Sequence, residues 1–258
     1  MLFRVHGIAN VGTGLRTTTR DCGRRRGRRG STLNATGETT VAGRTTVFEN
    51  RVDAGQQLAA LLENYRSPTT VVLGIPRGGV VVAAEVARAL AAPLDVVVTR
   101  KLGSPYHPEY AVGAIGEGGV RIVDARAVHA SRIDSDALRA VENAERVELE
   151  RRTRLFRGSA PRRDLTGALA IVVDDGVATG STAIVSCRAV RQLGAASIVL
   201  ATPVAPRDWV TRVANEADEY VAAHTPSPFW AVGQWYQRFD QTSDDEVVAA
   251  LAGARSGS

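Results

Sequence analysis

The chain's pattern predicts an α/β fold with an open, doubly wound, mostly parallel sheet, and three observations carry that expectation. The run Ala170-Ile171-Val172-Val173 is apolar and largely β-branched without alternation, the pattern of a strand covered on both faces. Twice, such a strand passes through a short glycine-containing turn into a helical pattern: Thr70 to Ile75 into Val80 to Leu90, and the 170–173 run into Ala183 to Leu193. Further short strands, Leu94 to Val98, Ser197 to Ala201 and Glu219 to Ala222, are interspersed with helical segments, as parallel pairing through crossovers requires.

Taken in order, residues 1–46 are rich in Gly, Thr and Arg with almost no aromatic residue. Such a segment buries too little surface to offset the entropy of ordering, so it is expected to be a disordered, Arg-rich extension. It has no apolar stretch of the secretory type. Its Thr and Arg content has something of an organellar transit peptide, and the Arg24 to Arg29 cluster something of an RNA-binding arm, but no aromatic residue interleaves that cluster. Val47-Phe48 opens the regular pattern abruptly, as expected if the native protein starts near residue 47. The domain is therefore set at 47–258.

From Arg51 to Tyr65, Val52, Leu58, Leu61 and Leu62 recur at helical spacing, and Ser67-Pro68 ends the helix. The first strand, Thr70 to Ile75, then runs into Pro76-Arg77-Gly78-Gly79. The next strand, Leu94 to Val98, carries Thr99-Arg100-Lys101 at its carboxyl end, where open α/β sheets place ligands. Leu102 to Glu109 reads as a loop, and Ala111 to Ile115 with Val120 to Val123 as a hairpin around Gly116 to Gly119. A helix is expected over Asp134 to Phe156, with Glu142/Arg146, Glu148/Arg152 and Glu150/Arg154 four apart along a solvated face. The later elements are a helix Asp208 to Asn215, an aromatic stretch from His224 to Tyr236, and a helix Ser243 to Leu251 capped by Ser243 with Glu246 three residues on.

The chemistry concentrates after Val173, in Asp174-Asp175-Gly176-Val177-Ala178-Thr179-Gly180-Ser181-Thr182. Gly176 and Gly180 free the backbone to turn, and Thr179 to Thr182 form the first turn of the following helix. Unpaired N–H groups and hydroxyls at such a terminus can surround a phosphate. Two acids beside an anion site make sense when the ligand also carries hydroxyls or a metal ion, as a phosphorylated sugar does. The phosphate loop of nucleotide triphosphatases is excluded, because no Gly-Lys-Ser/Thr follows the glycines.

This string closely resembles the phosphoribosyl pyrophosphate (PRPP) motif of type I phosphoribosyltransferases. The resemblance implies that fold, with a small hood built from the C-terminal segment and a flexible loop. It implies that Asp174 and Asp175 hold the ribose hydroxyls, and the metal indirectly through Mg-PRPP, while Gly176, Ala178, Thr179, Gly180, Ser181 and Thr182 hold the 5-phosphate. Arg77, Gly78 and Gly79 match the loop that cradles pyrophosphate, and Arg100-Lys101 the cationic pair that opens the flexible loop. Glu109 matches a loop carboxylate associated with proton transfer in adenine enzymes. Phe229 and Trp230 match an aromatic that stacks on the base, although the downstream Asp of the hypoxanthine enzymes is missing. Ala178 stands where 6-oxopurine enzymes carry a carboxylate, so the loop looks more like those of the adenine and orotate enzymes. The implied activity transfers the phosphoribosyl group from PRPP to a nitrogenous acceptor with Mg²⁺ and release of pyrophosphate, as in nucleotide salvage, in a cytoplasmic homodimer. A non-catalytic PRPP or nucleotide sensor of the same fold is the alternative; it would be expected to lose the leaving-group cations.

Composition bounds the remaining classes. An apolar fraction of 44% over 258 residues supports one ordinary core. Residues 1–46 carry +7, so the remainder, to give the overall +5, carries −2; the folded part offers no specific nucleic-acid surface. The longest apolar runs are strand-sized, which argues against a membrane span. The two cysteines, Cys22 and Cys187, build no disulfide framework, and the four histidines (6, 107, 129 and 224) lack metal-ligand spacing.

Overall fold

The structure is a computed structural model that describes residues 5–6, 39–41, 44–107 and 110–256. Its elements in order are β1 (Val5–His6), β2 (Thr39–Val41), β3 (Arg44–Thr46), α1 (Arg51–Leu61), β4 (Thr70–Gly74), α2 (Gly78–Leu90), β5 (Leu94–Val96), β6 (Thr99–Gly103), β7 (Ala111–Gly116) and β8 (Arg121–Val123). They continue with α3 (Ala125–Ala130), α4 (Ser135–Arg157), β9 (Leu169–Val173), α5 (Ser181–Gln192), β10 (Ser197–Val204), α6 (Trp209–Arg212), β11 (Glu219–His224) and α7 (Asp244–Ser256).

The main sheet runs in the order β1-β11-β10-β9-β4-β5, and every pairing in it is parallel. β9 lies at its centre, and alternate residues face opposite cores: Ile171 and Val173 pack with α1, α2 and α7, Ala170 and Val172 with α5 and α6. Both sides of β9 are dry, so neither side alternates with polar residues, and each of its large side chains contributes roughly 1.5–3 kcal/mol of burial. In register, Val173 pairs with Gly74 of β4 and with Ala201 of β10. The turns after β4 and β9 therefore leave the sheet side by side, which positions the site.

Several boundaries differ from expectation for visible reasons. Thr99 to Lys101 do not end β5; they open β6, which pairs antiparallel with β7 to make, with β8, a separate three-stranded sheet. Leu102, expected to begin a loop, is fully buried there with Val112 and Ile115. The helix α3 went unforeseen, although Asp124 caps it by accepting from the N–H groups of Arg126 and Ala127. The expected helix to Asn215 stops at Arg212, and Asn215 has a left-handed φ of 69° that no helix interior residue adopts. Ser243 and Glu246 form the anticipated reciprocal cap, Ser243 N–H to Glu246 at 2.7 Å and Glu246 N–H to Ser243 Oγ at 3.1 Å.

On α4 the pairs Glu148/Arg152 (2.8 Å) and Glu150/Arg154 (3.4 Å) form as expected. Glu142 does not reach Arg146. It is buried and accepts instead from Arg121 of β8, so that stretch of α4 is an interface with the small sheet and not a solvated face.

Candidate active site

The cleft opens where β4 and β9 end. After β4, Ile75 donates its N–H to Val173 O at 2.8 Å, and Pro76 leads through a cis peptide to Arg77, which heads α2. After β9, Asp174 donates its N–H to Ala201 O at 3.2 Å, and Asp175 donates its own to Asp174 Oδ1 at 3.0 Å. The two turns touch. A Cβ on Gly78 would stand 1.9 Å from Asp175 Oδ2 and 2.6 Å from Arg51 Nε, and one on Gly79 2.7 Å from Val173 O. Only glycine lets the first turn of α2 lie this close to the acidic pair.

A cleft of about 430 Å³ is lined by Arg77, Gly78, Asp174, Asp175 and Thr182, together with Ile75 and Pro76. Its far wall comes from Arg51 and from Phe239, Gln241 and Thr242 of the segment that leads into α7. Arg77 also approaches Asp244 at the start of α7, at 3.6 Å. The phosphate-type loop follows the acids: Gly180, at φ 84°, ends it and precedes α5, so Thr179 and Gly180 lie before that helix and not within its first turn. Thr179 and Ser181 hydroxyls are 3.3 Å apart and exposed, and Arg212 Nη1 donates to Ala178 O at 3.0 Å. A Cβ on Gly176 would meet Val232 at 2.2 Å, so the loop after the acids is closed down against the C-terminal segment.

The electrostatics of the acid pair follow from crowding. Burial, then the adjacent Asp175 carboxylate, push the Asp174 pKa well above the usual aspartate value. Burial raises that of Asp175 as well, and Arg51 opposes it through an Nε contact of 2.7 Å. Tyr236 donates its hydroxyl to the Asp175 carbonyl oxygen at 2.5 Å.

Of the residues singled out from the sequence, Arg77, Gly78, Asp174, Asp175 and Thr182 line one cleft, with Gly79, Gly176, Ala178, Thr179, Gly180 and Ser181 in the turns that frame it. Arg100 and Lys101 line another, of about 390 Å³ between β6 and α4, where Arg100 Nε donates to Glu145 at 2.7 Å. Glu109 lies outside the described residues. Phe229 stacks on Trp235, with centroids 6.4 Å apart, while Trp230 is 82% exposed; neither lines the acid cleft. Sequence patterns do not single out Arg51, Phe239, Gln241 or Thr242, and they place Tyr236 in a stretch suited to a base platform. A signal exists for Arg51: it occupies the first position of α1 after the Asn50 cap, where the helix dipole disfavours a cation.

Residues 48–221 match the family model of the phosphoribosyl transferase domain. The chain belongs to that family. A relative from Mycobacterium tuberculosis, provisionally named a phosphoribosyl transferase and found in strains CDC 1551 and H37Rv, is 53% identical over 205 residues, which is 80% of this chain and 46% of the relative. The chain thus spans about half the length of the curated relatives it matches. The crystal structure of TT1426 from Thermus thermophilus is 40% identical, covers 80% of this chain and 98% of that one, and superposes with a TM-score of 0.71. The cleft lies within this phosphoribosyl transferase domain except for its wall at 239–242, which follows the matched region.

Proposed function

We propose that this phosphoribosyl transferase domain transfers the 5-phosphoribosyl group of PRPP to a nitrogenous acceptor and releases pyrophosphate. The observation that carries the reading is the convergence of Arg77 and Gly78 with Asp174, Asp175 and Thr182 on one cleft, a cationic turn, an acid pair and a helix start facing one ligand-sized space. In this reading Arg77 and the backbone N–H groups at the head of α2 hold the pyrophosphate. Thr179 to Thr182, with the start of α5, hold the 5-phosphate. Asp174 and Asp175 accept hydrogen bonds from the ribose hydroxyls and stabilise the positive charge that grows at the anomeric carbon as its bond to pyrophosphate breaks and the bond to nitrogen forms.

Mg²⁺ fits this arrangement as a guest of the substrate. Among the described residues no group of three or more His, Cys, Asp or Glu gathers, so Asp174 and Asp175 would meet the ion beside phosphate oxygens and water, the coordination Mg²⁺ prefers. Bound there, it neutralises leaving-group charge. Arg100 and Lys101 of β6 and Glu109 of the segment between β6 and β7 belong to this reading as groups that act when that segment covers the substrate. Phe229 and Trp230 are the proposed stacking surface for an aromatic acceptor; Ala178, whose methyl takes no proton, disfavours 6-oxopurine chemistry. A cytoplasmic homodimer completes the proposal; among the described residues no helix is long and apolar enough to cross a membrane.

A screen for pyrophosphate release from PRPP and Mg²⁺ with a panel of nitrogenous bases tests it. Release with at least one acceptor, abolished in a folded Asp174→Asn/Asp175→Asn variant, is expected. Tight PRPP binding with no release from any acceptor would instead favour a sensor.

A further inference from the structure

We infer that Arg51 is a binding residue for the pyrophosphate end of the substrate, held in place by the C-terminal segment. This rests on the function proposed above. Arg51 comes from α1, far in sequence from both motifs, yet it borders the same cleft as Arg77 and Asp175. Three contacts fix its guanidinium: Nε donates to Asp175 Oδ2 at 2.7 Å, Nη1 donates to Asp240 O at 2.6 Å, and the guanidinium carbon lies 4.0 Å over the centre of the Phe239 ring. Its side chain is only 13% exposed.

A guanidinium carries five N–H donors in a rigid fork. Two of them are used here, and the other three, on Nη1 and Nη2, remain for a ligand in the cleft. Their position decides which end of that ligand they meet. Arg51 Nε stands 2.6 Å from where a Cβ on Gly78 would be, so the charge sits against the turn assigned to pyrophosphate. Arg100, by contrast, is turned toward Glu145 across a separate cleft. Arg51 and Arg77 are thus the two arginines that line the acid cleft. Phe239 and Asp240 give Arg51 a planar seat and a fixed direction, so its donors need little further ordering when they bind.

Binding of inorganic pyrophosphate with Mg²⁺, and separately of ribose 5-phosphate, to Arg51→Gln, Arg51→Lys and Phe239→Leu is the test, with thermal melting to confirm that each variant is folded. For Arg51→Gln, pyrophosphate affinity is expected to fall about 10- to 100-fold, the worth of charge-assisted hydrogen bonds, while ribose 5-phosphate affinity changes less than about twofold. Arg51→Lys keeps the charge beside Asp175 and loses the fork, and should show a smaller loss with the same selectivity; it carries the test if Arg51→Gln fails to fold. Phe239→Leu should weaken pyrophosphate alone. An equal loss for both ligands would mean that Arg51 serves only to hold Asp175, and no loss for either would make it structural; both results overturn the inference. A wild-type chain that binds neither ligand overturns the proposed function itself.

Discussion

The Tyr236 hydroxyl donates to the carbonyl oxygen of Asp175 at 2.5 Å, joining the segment after the matched family domain to the second acid of the cleft. Tyr236 is buried and also packs against Phe48, with ring centroids 5.2 Å apart, so the residue that opens the matched domain meets the segment that follows it. Replacing Tyr236 by Phe keeps the packing and leaves that carbonyl without its donor. The expected cost is about 1 kcal/mol, or roughly 2–4 °C in melting temperature for a domain of this size, with a lower affinity for PRPP. Thermal melts and PRPP titration of the variant check both effects.

Gly78→Ala should be far more damaging to binding than its size suggests. The added methyl meets the Asp175 carboxylate and Arg51, and both belong to the cleft, so one of the two turns must move. Loss of measurable PRPP binding in a chain that still melts cooperatively is the expected result.

The acid pair predicts an unusual pH dependence. Asp174 has its pKa raised by burial and by Asp175, so the folded state keeps a proton that an unfolded aspartate, near 3.8, has released. The stabilisation is therefore complete below that value and is lost as pH rises through the raised pKa. Asp174→Asn should weaken this dependence, leaving the part that burial of Asp175 contributes, and, at neutral pH, make the ligand-free protein more stable by about 1 kcal/mol while ending turnover. Urea unfolding of both proteins from pH 4 to pH 8 measures it.

The buried triad of Arg157 with Asp95 and Glu117 predicts a large structural effect. Arg157 is 4% exposed and Asp95 2%, and the guanidinium donates to Asp95 Oδ1 at 3.0 Å, to Val96 O at 2.9 Å and to Glu117. Arg157→Met strands two carboxylates, and a loss of about 3–5 kcal/mol is expected by denaturant titration.

Cys187 should be inert. It is fully buried on α5, and burial pushes its thiol pKa up to about 12. In a Cys22→Ser background, a thiol reagent at pH 7.5 is expected to label nothing until the chain unfolds.

How much of this is legible beforehand depends on sequence distance. Residues 170 to 182 hold a strand, acids and a phosphate-type loop in one contiguous string, and Arg77-Gly78-Gly79 carries its own turn, so the sheet and the rim of the cleft can be read directly. Arg51 cannot be joined to Asp175 in this way, because 124 residues separate them and no periodicity links a helix start to a strand end. The same holds for Glu142 and Arg121: four-residue spacing on one helix suggests a surface face and says nothing of a partner on another element. Leu102 reads as loop since a strand of the small sheet follows β5 with only two intervening residues and no turn residue to mark the break.

The most direct measurement is calorimetric titration of PRPP with Mg²⁺ into the wild-type chain and into Asp174→Asn/Asp175→Asn. The account predicts saturation at one PRPP per chain for the wild type and no measurable binding to a folded double variant. Equal binding to both, or none to the wild type, would contradict it.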